Sequence, residues 1–279
     1  MRTQAEKAET FSALHHRDHA FIIPNPWDVG TARLLETLGF EALATTSAGF
    51  AFSIGRPDGA VGREKMLAHA VEIVAATDLP VSADLENCYA DDPDGAADTV
   101  RLAAKAGLAG CSIEDVSGRQ GQGPYELSVA AERVRAAAQA AHSMPYSFTL
   151  TARAENYIIG RPDLRDTIAR LQAFQEAGAD VLFAPGLKTR EEVVAVVRSV
   201  DRPVNVIMGL QGVQLNLDEL SEMGVKRISV GSALSRAALS TFYRAAREMK
   251  ERRTFAFAED VLKVGELNAL FEKWILPTQ

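Results

Sequence analysis

Short apolar runs that end in polar or charged residues alternate with amphipathic stretches along the whole chain. The first run, Ala20-Phe21-Ile22-Ile23-Pro24, gives way to Asn25-Pro26-Trp27-Asp28. Asp28 is placed to cap a helix over 29–38 that stops at Gly39. A second run over 41–46 leads into Ser47-Ala48-Gly49 and a loop through Gly55-Arg56-Pro57-Asp58-Gly59. A helix over 62–76 precedes a third run, Val81-Ser82-Ala83-Asp84-Leu85-Glu86. The pattern then repeats: helix 93–106, strand 109–115, helix 127–141, strand 148–153, helix 162–177, strand 180–184, helix 190–199, strand 203–208, helix 217–223, strand 227–231. From there to the last few residues the chain reads as helical throughout.

Eight strands alternating with helices every roughly 20 to 40 residues is the spacing of an α/β (β/α)8 TIM barrel. A doubly wound sheet would place a glycine-rich phosphate turn after its first strand, and Asn25-Pro26-Trp27-Asp28 cannot serve as one. No linker or repeat divides the chain, so residues 1–279 form one domain with 237–279 as a helical extension. Leu239, Phe242, Tyr243, Phe255, Phe257, Val261 and Leu262 fall in that extension, followed by Leu267, Leu270, Phe271, Trp274, Ile275 and Leu276. Three- and four-residue spacing makes the last of these a stripe that needs a covering surface.

Composition narrows the partners. At 47% hydrophobic, 24% charged and a net charge of −7, the chain offers no dominant basic face for nucleic acid. No apolar run approaches the roughly 18 residues of a membrane span, and residues 1–20 lack the apolar core of a signal peptide. Two cysteines, Cys88 and Cys111, make neither a disulfide framework nor a metal spacing. A cytoplasmic setting is expected.

Candidate chemistry collects at strand ends. On a strand, Asp84 and Glu86 would share a face; the next strand ends in Glu114, sharing a face with Ser112, and the next in Arg153, alternating with Thr151 and Glu155. Three carboxylates gathered at one rim would repel, and a hard divalent cation, Mg²⁺ first, would relieve them. Each acid taken singly can instead cap a helix or face water. Arg153 can neutralise a neighbouring acid, clamp a substrate carboxylate, or both. Thr45 to Gly49 can be a plain turn or can present amides and hydroxyls to an anion. Asp58, between Pro57 and Gly59, reads as a turn residue. Cys111 is expected as a buried hydrophobe, and Cys88 lies near the rim, where it could approach a ligand. His15, His16 and His19 precede the first strand, away from the rim, and are expected to face solvent. The glycine-rich stretch 117–124 is expected as a flexible loop.

Asn25-Pro26-Trp27-Asp28, Thr46-Ser47-Ala48-Gly49, Ala83-Asp84-Leu85-Glu86, Ile113-Glu114-Asp115, Thr151-Ala152-Arg153 and Arg227-Ile228-Ser229-Val230-Gly231 together resemble the isocitrate lyase/phosphoenolpyruvate mutase superfamily over nearly the full length. The resemblance implies an α/β barrel, Mg²⁺ (or Mn²⁺), and a substrate that is or yields a 2-oxo acid. It implies Asp84 as principal metal ligand, with Glu86 and Glu114 holding metal-bound waters. Thr46, Ser47, Ala48, Gly49, Arg153 and Asn205 would bind substrate. Asp58 matches an aspartate on a mobile segment near the reacting centre, which replaces the turn-only reading. It further implies a C-terminal helix exchanged between subunits of a homotetramer, a dimer of dimers.

The departures are informative. Isocitrate and methylisocitrate lyases carry Lys-Lys-Cys-Gly-His after strand four, whereas Ser117-Gly118-Arg119-Gln120-Gly121-Gln122-Gly123-Pro124 has no cysteine, lysine or histidine. Phosphonate-processing relatives have lysines there too. Glu86 is followed by Asn87-Cys88-Tyr89-Ala90 in place of a glycine-aromatic-glycine run. Decarboxylation of an oxaloacetate-like acid is the first expectation, since it needs no dedicated base to start. C–C cleavage of a methylisocitrate-like acid, C–P chemistry and a non-catalytic ligand-binding homologue follow in that order.

Overall fold

A computed structural model describes residues 2–119, 121–210 and 214–274. It begins with a helix the apolar pattern did not announce, α1 (Gln4–Leu14). Thr3 and Glu6 form a reciprocal capping box at its start, and Ala8, Phe11 and Leu14 bury one face. That face closes the bottom of the barrel against Phe21, Ile23, Ala42 and Ala109. Gly110 is required there: a Cβ would lie 2.5 Å from the Thr149 carbonyl oxygen and 3.1 Å from the Phe11 ring.

The rest alternates as the spacing predicts: β1 (Phe21–Ile23), α2 (Val29–Thr37), β2 (Leu43–Ala44), α3 (Ser47–Ser53), α4 (Arg63–Ala76), β3 (Val81–Ala83), α5 (Pro93–Lys105), β4 (Gly110–Glu114), α6 (Leu127–His142), β5 (Thr149–Arg153), α7 (Leu164–Glu176), β6 (Val181–Phe183), α8 (Arg190–Arg198), β7 (Val204–Ile207), α9 (Leu217–Glu222) and β8 (Arg227–Ser229). All pairings are parallel, in the order β1-β8-β7-β6-β5-β4-β3-β2. The two end strands meet where the Ala44 N–H donates to the Pro24 carbonyl at 3.1 Å. This is a (β/α)8 TIM barrel. Asp28 caps α2 as expected, accepting from the Thr31 N–H at 2.7 Å.

Alanines let the helices lie close on the barrel and on each other. Ala96, Ala97, Ala103 and Ala104 of α5 and Ala130, Ala137, Ala138 and Ala141 of α6 are all buried. Larger side chains fill the remaining space: Leu150, Ile113, Leu182, Phe148 and Phe174 are essentially inaccessible, each contributing roughly 1.5–3 kcal/mol by burial.

Three expectations change here. His15 is buried, not solvent-facing: its ring packs edge-on to Phe11 and Phe21, and its Nδ1 lies 2.8 Å from the Phe11 carbonyl. His16 and His19 are exposed. Cys88 does not approach a ligand; it is fully buried, and burial pushes its thiol up to about 12. The C-terminal segment is not wholly helical. α10 (Ala233–Arg247) runs into a π-type turn, Glu248–Arg252, and Arg253 stops it in a left-handed conformation at φ 58°. The Glu248 carboxylate then accepts from Thr254 Oγ1 at 2.7 Å and the Ala256 N–H at 2.6 Å. These contacts favour a short 3₁₀ stretch, Ala256–Asp260, ahead of α11 (Val264–Phe271). α11 lies against α2 of its own chain, and the Trp274 ring sits 5.1 Å from the Arg33 guanidinium. Phe242, Tyr243, Phe255, Val261, Leu262 and Val264 remain exposed. Among the described residues no helix is long and apolar enough to cross a membrane.

Candidate active site

The C-terminal ends of the strands open onto a cavity of about 290 Å³. Its mouth is lined by Thr45 to Ala48 after β2, Asp84 after β3, Glu114 at the end of β4, and Arg153 and Glu155 at the end of β5. Ser112, Asn205, Arg227 and Ser229 line it deeper down.

Arg153 is the hub. Its Nη1 donates to Asp84 Oδ1 at 3.0 Å and lies 2.9 Å from Glu114 Oε1, while its Nε donates to Glu155 Oε1 at 2.8 Å. β4 and β5 pair with Glu114 opposite Arg153, which explains the second contact. Burial works against the charge on this guanidinium, but Glu114, Glu155 and Asp84 together hold its proton more tightly than usual. The Phe183 ring covers it at 5.0 Å. Neutralising an acid and facing a ligand are therefore compatible roles for Arg153.

Asp84 is held from two sides. Its Oδ2 accepts from the Ser47 N–H at 3.0 Å and the Ser47 hydroxyl at 2.8 Å, across from Arg153 on Oδ1. Ser47 can do this because Thr46 caps α3, accepting from the Gly49 N–H at 3.2 Å, and so turns the first amides of the helix toward the mouth. Thr46 to Gly49 is thus the start of a helix, and Gly49 has no room for a side chain against Thr46, Trp27 and Ser235.

The shared-face argument for Asp84 and Glu86 does not hold in its strand form. β3 ends at Ala83, and Glu86, Cys88 and Tyr89 take left-handed conformations at φ 51°, 59° and 55°. This strained turn still leaves Glu86 near the acids: burial first, then Asp84 and Asp58, push its carboxyl up to about 7. Tyr89 donates to it at 3.4 Å. Arg133 holds the turn from below, donating to the Glu114, Asn87 and Ala90 carbonyls at 3.0, 2.5 and 2.8 Å.

Asp58 lies on an exposed loop and lines the mouth. Desolvation, then the Asp84 charge, raise its carboxyl above the usual aspartate range. The glycine-rich loop is drawn together at its ends by a bridge between Val116 and Pro124, and Arg119 pairs with Asp91. Gln120 lies outside the described residues.

The expected set Asp58, Asp84, Glu114 and Arg153, with Thr46, Ser47, Ala48 and Asn205, lines one cavity. Glu86 stands beside it, and Gly49 sits behind it in α3. Glu155 and Ser112, expected on the same faces as Arg153 and Glu114, also line it, as does Arg227, which carried no assigned role. Glu155 was detectable from its alternation with Arg153. Arg133, behind the turn, gave no signal, because its targets are backbone carbonyls.

Whether this donor set suits Mg²⁺ is a matter of charge and reach. Asp58, Asp84, Glu86, Glu114 and Glu155 cluster around one guanidinium, and burial with mutual repulsion raises Glu86, Glu114 and Glu155 alike. A hard cation answers that imbalance. Among the described residues no three His, Cys, Asp or Glu side chains converge as a direct ligand set. One direct carboxylate with the others acting through water is the arrangement Mg²⁺ accepts, since it sheds water reluctantly. The residues fit the ion in that mode.

Residues 11–250 match the family described as phosphoenolpyruvate phosphomutase. A provisionally assigned lyase/mutase from Burkholderia cenocepacia J2315 superposes at TM-score 0.95 with 58% identity, over 96% of this chain and 97% of that one. An uncharacterized Mycobacterium tuberculosis protein is 34% identical over 87% of this chain and 89% of its own. The oxaloacetate decarboxylase of Pseudomonas savastanoi pv. phaseolicola is 26% identical over 87% and 84%. A phosphonopyruvate hydrolase solved with oxalate and Mg²⁺ shares the fold at TM-score 0.84 and 20% identity, over 98% and 96%.

Proposed function

The chain belongs to the phosphoenolpyruvate phosphomutase family, whose relatives are lyases and mutases of small acids, and on that premise we propose that it decarboxylates an oxaloacetate-like 2-oxo diacid with the help of Mg²⁺. One observation carries the choice. The mouth offers a carboxylate-ringed arginine and helix-end amides, while the loop after Glu114 supplies no cysteine, lysine or histidine as acid or base. Loss of CO₂ starts without a base; isocitrate-type cleavage does not.

Asp84 would hold the ion directly, with Glu86 and Glu114 acting through water; Mn²⁺ is an alternative of similar chemistry. When bound, the ion supplies Lewis acidity toward a 2-oxo acid. Arg153 and the Ala48 amide, set at the start of α3 by Ser47's hold on Asp84, orient the substrate carboxylate and the 2-oxo group, fixing the scissile bond. That bond, between C3 and the departing carboxyl carbon, breaks; its electron pair moves toward C2 and the 2-oxo oxygen, and CO₂ leaves. C3 then takes a proton. Asp58, over the mouth and held above the usual carboxylate range, is placed to deliver it.

The chain is also proposed to act as a homotetramer. The exposed Leu239, Phe242, Tyr243, Phe255, Val261, Leu262 and Val264 support this reading, being large apolar side chains gathered in one C-terminal segment. Single-turnover assays with Mg²⁺ and a panel of 2-oxo acids test the reaction. CO₂ with the corresponding 2-oxo monoacid is expected, and binding without product would leave a ligand-binding homologue instead.

A further inference from the structure

Arg133 is a buried cation that gives all its hydrogen bonds to backbone. It lies on α6 at 1% exposure, on a face otherwise formed by Ala130, Val134 and Ala137. Its Nη1 donates to the Glu114 carbonyl at 3.0 Å, and its Nη2 to the Asn87 and Ala90 carbonyls at 2.5 and 2.8 Å. Its Nε finds no partner. The Tyr125 ring covers the guanidinium at 4.4 Å. No carboxylate is among these partners. A buried charge without a counter-ion is costly, and an apolar side chain is often the more stable choice at such a place. Packing of α6 alone does not call for an arginine here.

The turn after β3 supplies the reason. Glu86, Cys88 and Tyr89 sit at φ 51°, 59° and 55°, a region that L side chains rarely adopt, and none of the three is glycine. Backbone so turned leaves the strand ladder, and its buried carbonyls need other donors. The Cys88 N–H donates to the Leu85 carbonyl at 2.8 Å and Thr99 Oγ1 to the Cys88 carbonyl at 2.7 Å, which closes the turn on itself and onto α5. The Glu114 N–H donates to the Glu86 carbonyl at 2.9 Å, so the two acids stand on one hydrogen-bonded pair of residues. Arg133 grips the far side of both, at the carbonyl of Glu114 and at the one following Glu86. Tyr125 is itself fixed: its N–H donates to the Asp115 carbonyl at 2.7 Å, and its hydroxyl accepts from Asn87 Nδ2 at 3.2 Å.

We propose that Arg133 is a positioning residue: its guanidinium fixes the left-handed turn 86–90 against the end of β4, and so sets the Glu86 and Glu114 carboxylates at the mouth for a divalent cation. This rests on the reading of those two acids as holding the ion through water. Groups that orient a metal's carboxylates from behind govern its affinity without touching it. A planar fork suits the task, since its two ends reach two separate pieces of backbone at once.

Two measurements on the full chain test it. Hydrogen exchange without metal reads the turn: in Arg133→Met, peptides covering residues 85–91 and 112–116 should exchange at least about tenfold faster, while β7 stays as in the wild type. Calorimetric titration with Mn²⁺ reads the acids: Arg133→Met should weaken binding about 10- to 100-fold. Arg133→Lys, which keeps the charge but not the fork, should fall between in both. In a chain carrying Glu86→Gln and Glu114→Gln, Arg133→Met should weaken Mn²⁺ binding by less than about twofold, because the groups it acts through are gone. If Arg133→Met does not fold, Arg133→Lys decides, and wild-type values in both measurements overturn the grip. Exchange raised equally across the barrel, or Mn²⁺ bound by Arg133→Met as by the wild type, overturns the positioning role and leaves the proposed reaction standing. Mn²⁺ binding that depends on Arg133 in a chain that releases no CO₂ overturns only the reaction. A wild-type chain that takes up no Mn²⁺ overturns the cation reading of the acids and this role with it.

Discussion

The Nη1 atom of Arg153 lies 3.0 Å from Asp84 Oδ1, and Ser47 holds the other oxygen of the same carboxylate. The guanidinium is thereby fixed in place before any ligand arrives, with Nε committed to Glu155. Arg153→Lys keeps the charge but loses the fork that serves two directions at once. A loss of about 1–3 kcal/mol in transition-state stabilisation, about fivefold to 150-fold in kcat/KM, is expected. Steady-state kinetics equal to wild type would remove Arg153 from the clamp role.

Asp84 accepts from Ser47 and Arg153 and packs little of the core. Asp84→Asn should cut activity by more than roughly a hundredfold while the circular dichroism spectrum and melting cooperativity stay near wild type. Excess chelator should have the same effect on the wild-type enzyme, reversed by Mg²⁺. Full activity in chelator would contradict the metal assignment.

His15 gives stability a sign with pH. Burial, then the Arg227 charge, depress it from 6.5 to about 3, so between those values the unfolded chain binds a proton that the fold does not. Stability from this group is complete above pH 6.5 and is lost as pH falls toward 3. His69, buried against Phe50 and lowered to about 4, acts in the same direction. His15→Gln removes the first contribution. The wild-type advantage over this variant should shrink by about 2–3 kcal/mol between pH 7 and pH 4.5, measured by urea unfolding. A pH-independent difference would place the His15 proton elsewhere.

How much of this the sequence carried differs from one residue to the next. Alternating apolar runs and helices specified the barrel, and Asp84, Glu114 and Arg153 were readable because strand ends in a barrel face one rim. Glu86 was placed by the wrong geometry: alternation presumes extended backbone, and β3 ends before it in a left-handed turn. His15 was misplaced because α1 has a weakly patterned face, in which a lysine, Lys7, is buried through a hydrogen bond to the Thr77 carbonyl. Arg227 stood only inside a family motif; its partners are His15 just after α1, Thr151 on β5 and Asn205 on β7, which no local pattern joins.

The C-terminal surface yields a further expectation. Deleting residues from Arg253 onward removes α11 and Trp274 from α2 and uncovers that face. Smaller, aggregation-prone species are expected in light scattering. A full-length chain that is monomeric at micromolar concentration would rule out the tetramer.

The central claim is the loss of CO₂ from a small 2-oxo diacid. Following a ¹³C-labelled oxaloacetate-like substrate by NMR with enzyme and Mg²⁺, against a metal-only control, measures it directly. The account predicts one CO₂ and one 2-oxo monoacid per substrate, formed faster than in the control and abolished in Asp84→Asn. Hydrolysis to two carboxylic acids, or substrate that disappears no faster than in the control, would contradict it.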